Sequence, residues 1–260
     1  MDMDAAYSNS DHVPGSADYP ARWEAAAAAF RARLGARAET GLRYGPSERQ
    51  RYDLFHPEGD AAGLVVFVHG GYWKSMHRHL WSHLAAGPLA RGWTVAMPSY
   101  DLCPEVRIAD ITRQIAAAVT AAAGRVAGPV RLTGHSAGGH LVARMCAPGM
   151  LPAPVAARLA RVVPISALAD LAPLMETSMN DVLGIDTAEA VAESPVHQPP
   201  PRVPVTVWVG GAELPAFLDQ ARWLAEAWGV DRHADPGRHH FDVIDALAAP
   251  ESDLTRALLA

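Results

Sequence analysis

Short apolar segments recur along the 260-residue chain and predict its fold. Each is a nearly continuous run of apolar residues, which is typical of strands covered on both faces of a parallel sheet. Segments with helical character, at 108–124, 137–147 and 215–228, lie between or after these runs. The runs are GLVVFVHGG, GWTVAMPSY, GPVRLTGHS, ARVVPISAL and PVTVWVGG. This alternation predicts an α/β fold with a mainly parallel central sheet and helices on both faces.

The remaining segments complete one predicted domain over residues 1–260. Residues 1–20 are predicted to form an irregular N-terminal arm, and 20–38 a helix, because proline suits a first helical turn and Ala, Arg and Glu favour helix. GLRYG and RQRYDLFHP predict two further strands, which would form an antiparallel edge of the sheet. Residues 173–200 predict a cap-like insertion over the strand ends.

The composition argues against several classes of function. The net charge is −6 and no basic cluster occurs, which argues against nucleic acid or an anionic membrane as the partner. No apolar run approaches the roughly 18 residues of a membrane span. The chain has only Cys103 and Cys146, and it begins MDMDAAYSNSD without an apolar core of a signal peptide. These features favour a cytoplasmic protein with free thiols.

The strongest chemical signal is a G-x-S-x-G pentapeptide, Gly134 to Gly138, which follows an apolar strand and precedes a helical segment. This is the setting that a nucleophile elbow requires, since small flanking residues leave room for a sharp turn. Ser136 would then project at the start of a helix, where developing negative charge is favoured. The sequence therefore predicts a serine nucleophile.

The first apolar strand ends in His-Gly-Gly-Tyr-Trp, which is unusual for a simple turn. A serine nucleophile generates an oxyanion, and N–H donors from a loop after an earlier strand can stabilise it. We expect donors from Gly71, Tyr72 and Ala137, with Gly70 shaping the turn. Tyr72 and Trp73 are expected to form walls of a pocket for a small acyl group; the alternative is that Trp73 packs in the core.

The order of a hydrolase triad places the acid and then the histidine after the serine. Glu213 follows the last apolar strand in a glycine-rich turn, where the acid is expected. Asp170 is a rival acid after the preceding strand, and the alternative is that it caps a loop or helix start. His239 and His240, in GRHHFDVID, both remain candidates for the base.

Other histidines have less specific surroundings. His77, His79 and His83 include an i, i+4 pair that could resemble metal ligands, but no matched acid or cysteine set accompanies them. We predict a solvated helix face there and no metal site. His135 and His140 flank the elbow, and we interpret them as packing or pocket residues, with His135 the candidate for the substrate pocket.

Together, HGGYW and GHSAGGHL make the chain resemble the kynurenine formamidase (arylformamidase) branch of the α/β-hydrolases, near the hormone-sensitive-lipase-like esterases. YGPSERQRYDLFHP, AELPAFLDQA and HHFDVID resemble further segments of that family. The resemblance implies an α/β-hydrolase fold, with Ser136 as nucleophile, Glu213 at the acid position and His240 as base. The family usually has aspartate where this chain has Glu213.

The expected activity is hydrolysis of a small acyl group by an acyl-enzyme mechanism, on an N-formyl aryl amide such as N-formylkynurenine. A carboxylesterase acting on short-chain esters is the alternative, and two rival classes are a non-catalytic binding protein of this fold and a metal-dependent hydrolase. The expected partner is a small-molecule acyl substrate, with a homodimer left open. No cofactor is expected.

Overall fold

This computed structural model describes residues 2–260, and within them eight strands form one sheet. The strands are β1 (Ala38–Arg43), β2 (Arg51–Phe55), β3 (Leu64–Val68), β4 (Thr94–Pro98), β5 (Val130–His135), β6 (Leu159–Ile165), β7 (Thr206–Gly210) and β8 (Asp231–Asp235). Their order is β1-β2-β4-β3-β5-β6-β7-β8. β2 is antiparallel to both neighbours, whereas β3 to β8 are mutually parallel. The predicted parallel sheet with an antiparallel edge is confirmed.

Helices cover both faces of this sheet, as predicted. They are α1 (Met3–Tyr7), α2 (Asn9–His12), α3 (Tyr19–Leu34), α4 (Ala86–Ala90), α5 (Ile108–Ala123), α6 (Ala137–Arg144), α7 (Ala153–Ala156), α8 (Asn180–Leu183), α9 (Thr187–Glu193), α10 (Pro215–Trp228) and α11 (Asp253–Leu259). Buried residues of α5, α6 and α10 belong to one apolar cluster, and those of α3 and α11 belong to the other.

Strand β3 shows why the apolar runs are continuous. Leu64, Val66 and Val68 pack in the first cluster, while Val65 and Phe67 pack in the second. All five side chains are buried because each face of the strand is covered by helices. Alternation of polar and apolar residues is therefore lost, as expected for a doubly covered sheet.

The N-terminal prediction was wrong. Residues 1–20 were expected to be irregular, but the described part contains α1, α2 and a 3₁₀ turn at Ser16–Asp18. The Asp2 side chain caps α1 by accepting from the Ala5 N–H at 3.2 Å. Tyr7 and Val13 are each only 2% exposed, so apolar anchors hold the segment against the domain. The helix predicted over 20–38 ends earlier, at Leu34.

Strand β8 was missed because its sequence, DRHAD, is polar and its residues are exposed or half-buried. It lies at the edge of the sheet and pairs with β7. An edge strand of this kind has little apolar surface to bury, and hence no apolar period to recognise.

Residues 173–200 form short helical elements between β6 and β7. They comprise α8, α9, most of a 3₁₀ turn at Ala172–Glu176 and another at Pro195–His197. A buried ion pair joins Arg144 of α6 to Glu193 of α9, with Nε and Oε2 3.1 Å apart. The Thr112 hydroxyl of α5 donates to the same Glu193 oxygen at 2.6 Å. The insertion is thus fixed to the helix that follows the elbow.

The structure shows the state of the two cysteines and the lengths of the helices. Cys103 and Cys146 are both free, as predicted, and burial raises the pKa of their thiols to about 11 and about 12. Over residues 2–260, helices are all too short or too polar to cross a membrane.

Candidate active site

The pentapeptide forms a sharp turn between β5 and α6. Ser136 has φ 57° and ψ −118°, a conformation that costs free energy for a residue with a side chain. A Cβ atom on Gly138 would lie 2.0 Å from the Val68 carbonyl oxygen, and one on Gly134 would lie 2.3 Å from the Gly138 oxygen. Both glycines are therefore required by close approach of the backbone, and the predicted elbow geometry is present.

The His-Gly-Gly-Tyr-Trp loop lies directly against this elbow. A Cβ atom on Gly70 would be 2.9 Å from the His135 carbonyl oxygen and 3.0 Å from the Ser136 Cβ. The Tyr100 hydroxyl reaches the carbonyl oxygens of His69 and Gly70 at 2.9 and 3.2 Å. These contacts fix the loop beside the serine.

The same loop presents free backbone donors. Gly71 has φ 103° and Tyr72 has φ 48°, so the chain turns through the left-handed region here. The Gly71 carbonyl accepts from the N–H groups of Lys74 and Ser75, both at 3.0 Å. In residues 2–260 the N–H groups of Gly71 and Tyr72 find no acceptor. Together with Ala137 at the start of α6, they are available to bind an oxyanion.

Glu213 and His240 form a buried pair. His240 Nδ1 lies 2.6 Å from Glu213 Oε2, and the two side chains are 3% and 0% exposed. The other carboxylate oxygen, Oε1, accepts from the Ser166 hydroxyl at 2.5 Å and from the Gly210 N–H at 2.7 Å. The carboxylate is thus held by three groups, and it fixes the orientation of the imidazole ring.

The rival acid and the rival base are engaged elsewhere. Asp170 Oδ1 accepts from the Ala172 N–H at 2.9 Å, which is the capping role considered as its alternative. His239 Nε2 lies 3.1 Å from the Tyr19 hydroxyl, and its Nδ1 faces the backbone of the next turn. The structure brings Glu213 and His240 together and does not place Asp170 or His239 with them.

The flanking histidines occupy different surroundings. His135 lines the cavity beside Ser136, and its ring centroid lies 4.5 Å from that of His240. Burial lowers the pKa of His135 well below its usual range, which favours the neutral form of this ring. His140 lies behind the elbow, where its Nε2 is 2.8 Å from the Glu193 carbonyl oxygen.

Two expectations about this region were wrong. Trp73 is fully buried and packs edge-on against His140 at 5.0 Å between centroids, so it is a core residue and no wall of the pocket. His77, His79 and His83 do not share a solvated helix face; they lie in and around 3₁₀ turns and are half-buried. Burial lowers the pKa of His83 to about 4. Among residues 2–260, no group of three His, Cys, Asp or Glu side chains is arranged to hold a metal ion.

A cavity of about 810 Å³ opens onto the site. Ser136, His240, Gly70, Gly71 and Tyr72 all line it. Much of its lining comes from the N-terminal segment, defined here as residues 2–18, and Ser178 and Met179 of the insertion also contribute. Catalytic candidates from distant parts of the sequence therefore face one space that is large enough for a small-molecule substrate.

Sequence reasoning missed Ser166 and the N-terminal wall. Ser166 follows β6 directly, with φ 49°, and a small polar residue after a buried strand was the available signal. The wall gave a weaker signal, namely Tyr7 and Val13 as isolated apolar residues in a polar stretch.

This geometry and the sheet order define the class of α/β-hydrolases. A solved structure of a truncated carbohydrate esterase from gut microbiota shares the fold, with a TM-score of 0.68, 16% identity and coverage of 87% of this chain and 96% of that chain. A candidate thioesterase from Silicibacter sp. TM1040 is 57% identical, with a TM-score of 0.98 and full coverage of both chains.

The kynurenine formamidase of Drosophila melanogaster is 31% identical over 245 residues, covering 84% of this chain and 79% of that protein. The chain therefore belongs to the kynurenine formamidase family, as its motifs predicted, and it is a hydrolase of the esterase and formamidase group. A scan against profiles of protein families found no match.

Proposed function

We propose that this protein is a serine hydrolase that removes a small acyl group from an aryl amide or ester. The observation that carries the proposal is the buried Glu213–His240 pair, in which His240 lines the same cavity as the elbow serine, Ser136. Ser136 is the nucleophile, His240 the general base and Glu213 the acid that holds the imidazole in place.

The proton movements follow from the ring orientation. Because Nδ1 of His240 donates to Glu213, Nε2 is left as the atom that accepts the proton of Ser136. The serine oxygen attacks the acyl carbon, and His240 then gives the proton to the departing amine or alcohol. Water repeats the sequence on the acyl-enzyme and releases the acid. Within residues 2–260 no direct hydrogen bond joins the Ser136 hydroxyl to His240, and in many hydrolases this contact forms or tightens only when substrate binds.

Oxyanion stabilisation comes from the backbone. The N–H groups of Gly71 and Tyr72 have no acceptor in the described residues, and Ala137 begins α6. Three such donors can surround the oxygen of the tetrahedral intermediate, and Gly70 holds the loop against the elbow. Loss of one donor typically costs about 10²–10³ in rate. Neither a metal nor an organic cofactor takes part in this mechanism.

The favoured substrate class is an N-formyl aryl amide such as N-formylkynurenine, which is supported by membership of the kynurenine formamidase family. A short-chain carboxylesterase is the second candidate. Two observations favour it. Trp73 is buried in the core, so it does not limit the size of the acyl group, and the relative at 57% identity is described as a candidate thioesterase.

Direct comparison of substrates distinguishes the two. Purified protein is assayed with N-formylkynurenine and with p-nitrophenyl acetate, butyrate and octanoate, and Ser136→Ala serves as the matched control. We expect the formamide to be cleaved and kcat/KM to decrease from acetate to octanoate. Brisk ester hydrolysis without formamide cleavage would leave the carboxylesterase as the function.

A covalent probe tests the mechanism independently of substrate. A fluorophosphonate should add one adduct to the wild-type protein, located at Ser136 by peptide mass spectrometry, and none to Ser136→Ala. Failure of the wild-type protein to react, together with hydrolysis that a chelator abolishes, would contradict the serine mechanism and support a metal-dependent one.

A further inference from the structure

The loop that carries the candidate oxyanion donors has a strained backbone. Tyr72 and Trp73 have φ of 48° and 52°, in the left-handed region that residues with a side chain rarely adopt. Such conformations cost free energy and persist only where the surrounding structure imposes them. The contacts made by these two residues therefore decide where the backbone N–H of Tyr72 lies.

The two strained residues are held from different parts of the chain. Trp73 is held by the core, because its ring is fully buried and its carbonyl accepts from the Cys103 N–H at 2.9 Å. Tyr72 is held by the N-terminal segment, because its hydroxyl donates to the Tyr7 carbonyl oxygen at 2.7 Å. Tyr7 is the last residue of α1, where the carbonyl groups of a helix have no partner within the helix. The position of Tyr72 thus depends on how firmly Tyr7 is held.

Gln220 of α10 holds the Tyr7 side chain. Its Nε2 donates to the Tyr7 hydroxyl at 3.0 Å and to the Asp170 carbonyl oxygen at 2.8 Å. Its Oε1 accepts from the N–H groups of Ala169 and Asp170, both at 2.7 Å. The carboxamide is fully buried and uses both donors and both acceptor positions, so it cannot turn without losing a buried hydrogen bond.

The ring of Tyr7 is also connected to the candidate base. Tyr7 is 2% exposed and packs edge-on against Phe217, with the ring centroids 5.8 Å apart. Phe217 in turn packs against the His240 ring at 4.4 Å between centroids. One residue of the N-terminal segment therefore contacts the oxyanion loop directly and the base through one neighbour.

We propose that Tyr7 is a positioning residue, which fixes the Tyr72 side chain and thereby the backbone donor for the oxyanion. This role rests on the proposed function, because it assumes that the Tyr72 N–H binds an oxyanion. The N-terminal segment then contributes to catalysis without contacting the reacting atoms. A misplaced donor weakens binding of the transition state more than that of the substrate, so kcat is the parameter that should change.

Substitutions at the two tyrosines test this role. Tyr72→Phe removes the hydroxyl but keeps the ring and the backbone N–H; with an aryl acetate, kcat should fall about 10-fold and KM should change less than about twofold. Tyr7→Ala removes both anchors of the Tyr7 side chain and should lower kcat at least as much. Tyr7→Phe keeps the ring and the carbonyl, so its kcat should stay within about threefold of the wild type.

A double-mutant cycle shows whether the two tyrosines act through one contact. If Tyr7 acts by fixing the Tyr72 hydroxyl, Tyr7→Ala combined with Tyr72→Phe should lower kcat no further than Tyr7→Ala alone. Losses that multiply would indicate independent roles, such as separate contacts with the substrate, and would overturn the proposal. Retention of more than about half of the wild-type kcat by Tyr72→Phe or by Tyr7→Ala would also overturn it.

Tyr44→Phe is the matched control for the loss of a hydroxyl. The Tyr44 hydroxyl donates to the Ser99 carbonyl oxygen at 2.6 Å, and neither residue is among those of 2–260 that line the cavity. Urea unfolding should show a similar loss of stability in Tyr44→Phe and Tyr72→Phe, whereas kcat should fall in Tyr72→Phe alone. If Tyr7→Ala does not fold, this pair decides, since equal kcat values in the two phenylalanine variants would refute the positioning role.

Hydrogen exchange measured by mass spectrometry keeps the test independent of turnover. The N–H groups of Lys74 and Ser75 donate to the Gly71 carbonyl, so their exchange reports the order of the loop. Peptides covering 70–76 should exchange about 10-fold faster in Tyr72→Phe and Tyr7→Ala than in the wild type and Tyr44→Phe. Unchanged exchange would refute the positioning role even if the serine mechanism holds. Faster exchange, together with a wild-type protein that a fluorophosphonate does not label, would refute the proposed function and with it the catalytic part of this role.

Discussion

Replacing Glu213 by glutamine removes the negative charge of the candidate triad acid while preserving its shape. In the structure Oε1 accepts from the Ser166 hydroxyl and the Gly210 N–H, and Oε2 faces His240 Nδ1. A glutamine side chain has one oxygen and one NH₂ group for these positions. Its orientation is therefore decided by which partner can be left unsatisfied.

The Gly210 N–H decides that orientation. It can only donate, so an NH₂ group placed against it would leave a buried backbone donor without a partner, at a cost of about 1–3 kcal/mol. The amide oxygen consequently stays toward Gly210 and Ser166, and the NH₂ group faces His240. The imidazole must then accept at Nδ1 and carry its proton on Nε2, which is the wrong tautomer for a general base. A similar change in the serine protease triad lowers kcat by about 10⁴.

We therefore expect Glu213→Gln to lower kcat by about 10³–10⁴ with little change in KM. Glu213→Asp keeps the charge but has a shorter side chain, so its kcat should fall about 10–100-fold. The kcat of Ser166→Ala should fall about 10-fold, because the carboxylate loses one hydrogen bond. Asp170→Asn is the matched control and should change kcat less than threefold. Kinetics with an aryl acetate and unfolding in urea check each variant. Retention of a tenth of the activity by Glu213→Gln, or a larger loss for Asp170→Asn, would refute this reasoning.

Three further predictions concern the surrounding structure. Gly71→Ala should lower kcat at least 10²-fold in the ester assay, because φ is 103° and the new Cβ would lie 2.5 Å from the Ser75 oxygen. Trp73→Phe should lower the free energy of unfolding by about 1–3 kcal/mol in urea and leave the preference among acyl chain lengths unchanged, because Trp73 is core. Burial lowers the pKa of His140 to about 4, so between about pH 6.5 and pH 4 the unfolded chain binds a proton that the folded chain does not. The free energy of unfolding in urea should therefore fall by up to about 3 kcal/mol as the pH is lowered from 6.5 to 4. The fall should be smaller in His140→Gln.

The inner strands of the sheet were predictable because they are buried on both sides. Val65 and Phe67 face one apolar cluster and Leu64, Val66 and Val68 face the other, so every residue of β3 is apolar. Elements that bury little apolar surface have no run or period of apolar residues in their sequence. Strand β8 and the short helices α1 and α2 form through pairing with a neighbour, capping and a few anchors, and a periodic pattern cannot reveal them.

In the candidate site, too, some features could be predicted from the sequence and others could not. The elbow is local, and its glycines follow from the space available around Ser136, so the sequence predicts it directly. Contacts between distant residues are different: Ser166 reaches Glu213 across 47 positions, and Tyr7 reaches Gln220 across 213. Nothing in the local sequence of either partner specifies such a contact. For the choice between His239 and His240, family resemblance supplied what spacing could not.

The glutamate at the candidate acid position, where the family usually has aspartate, has a physical explanation in the turn after β7. The Glu213 N–H donates to the Gly210 carbonyl at 3.2 Å, and Glu213 Oε1 accepts from the Gly210 N–H at 2.7 Å, so the longer side chain folds back onto the strand end. Gly210 permits this, since a Cβ there would lie 3.0 Å from Oε1 and 2.4 Å from the Arg238 oxygen. The extra methylene is absorbed before the carboxylate reaches His240. The glutamate therefore gives no physical reason to separate this chain from the formamidases.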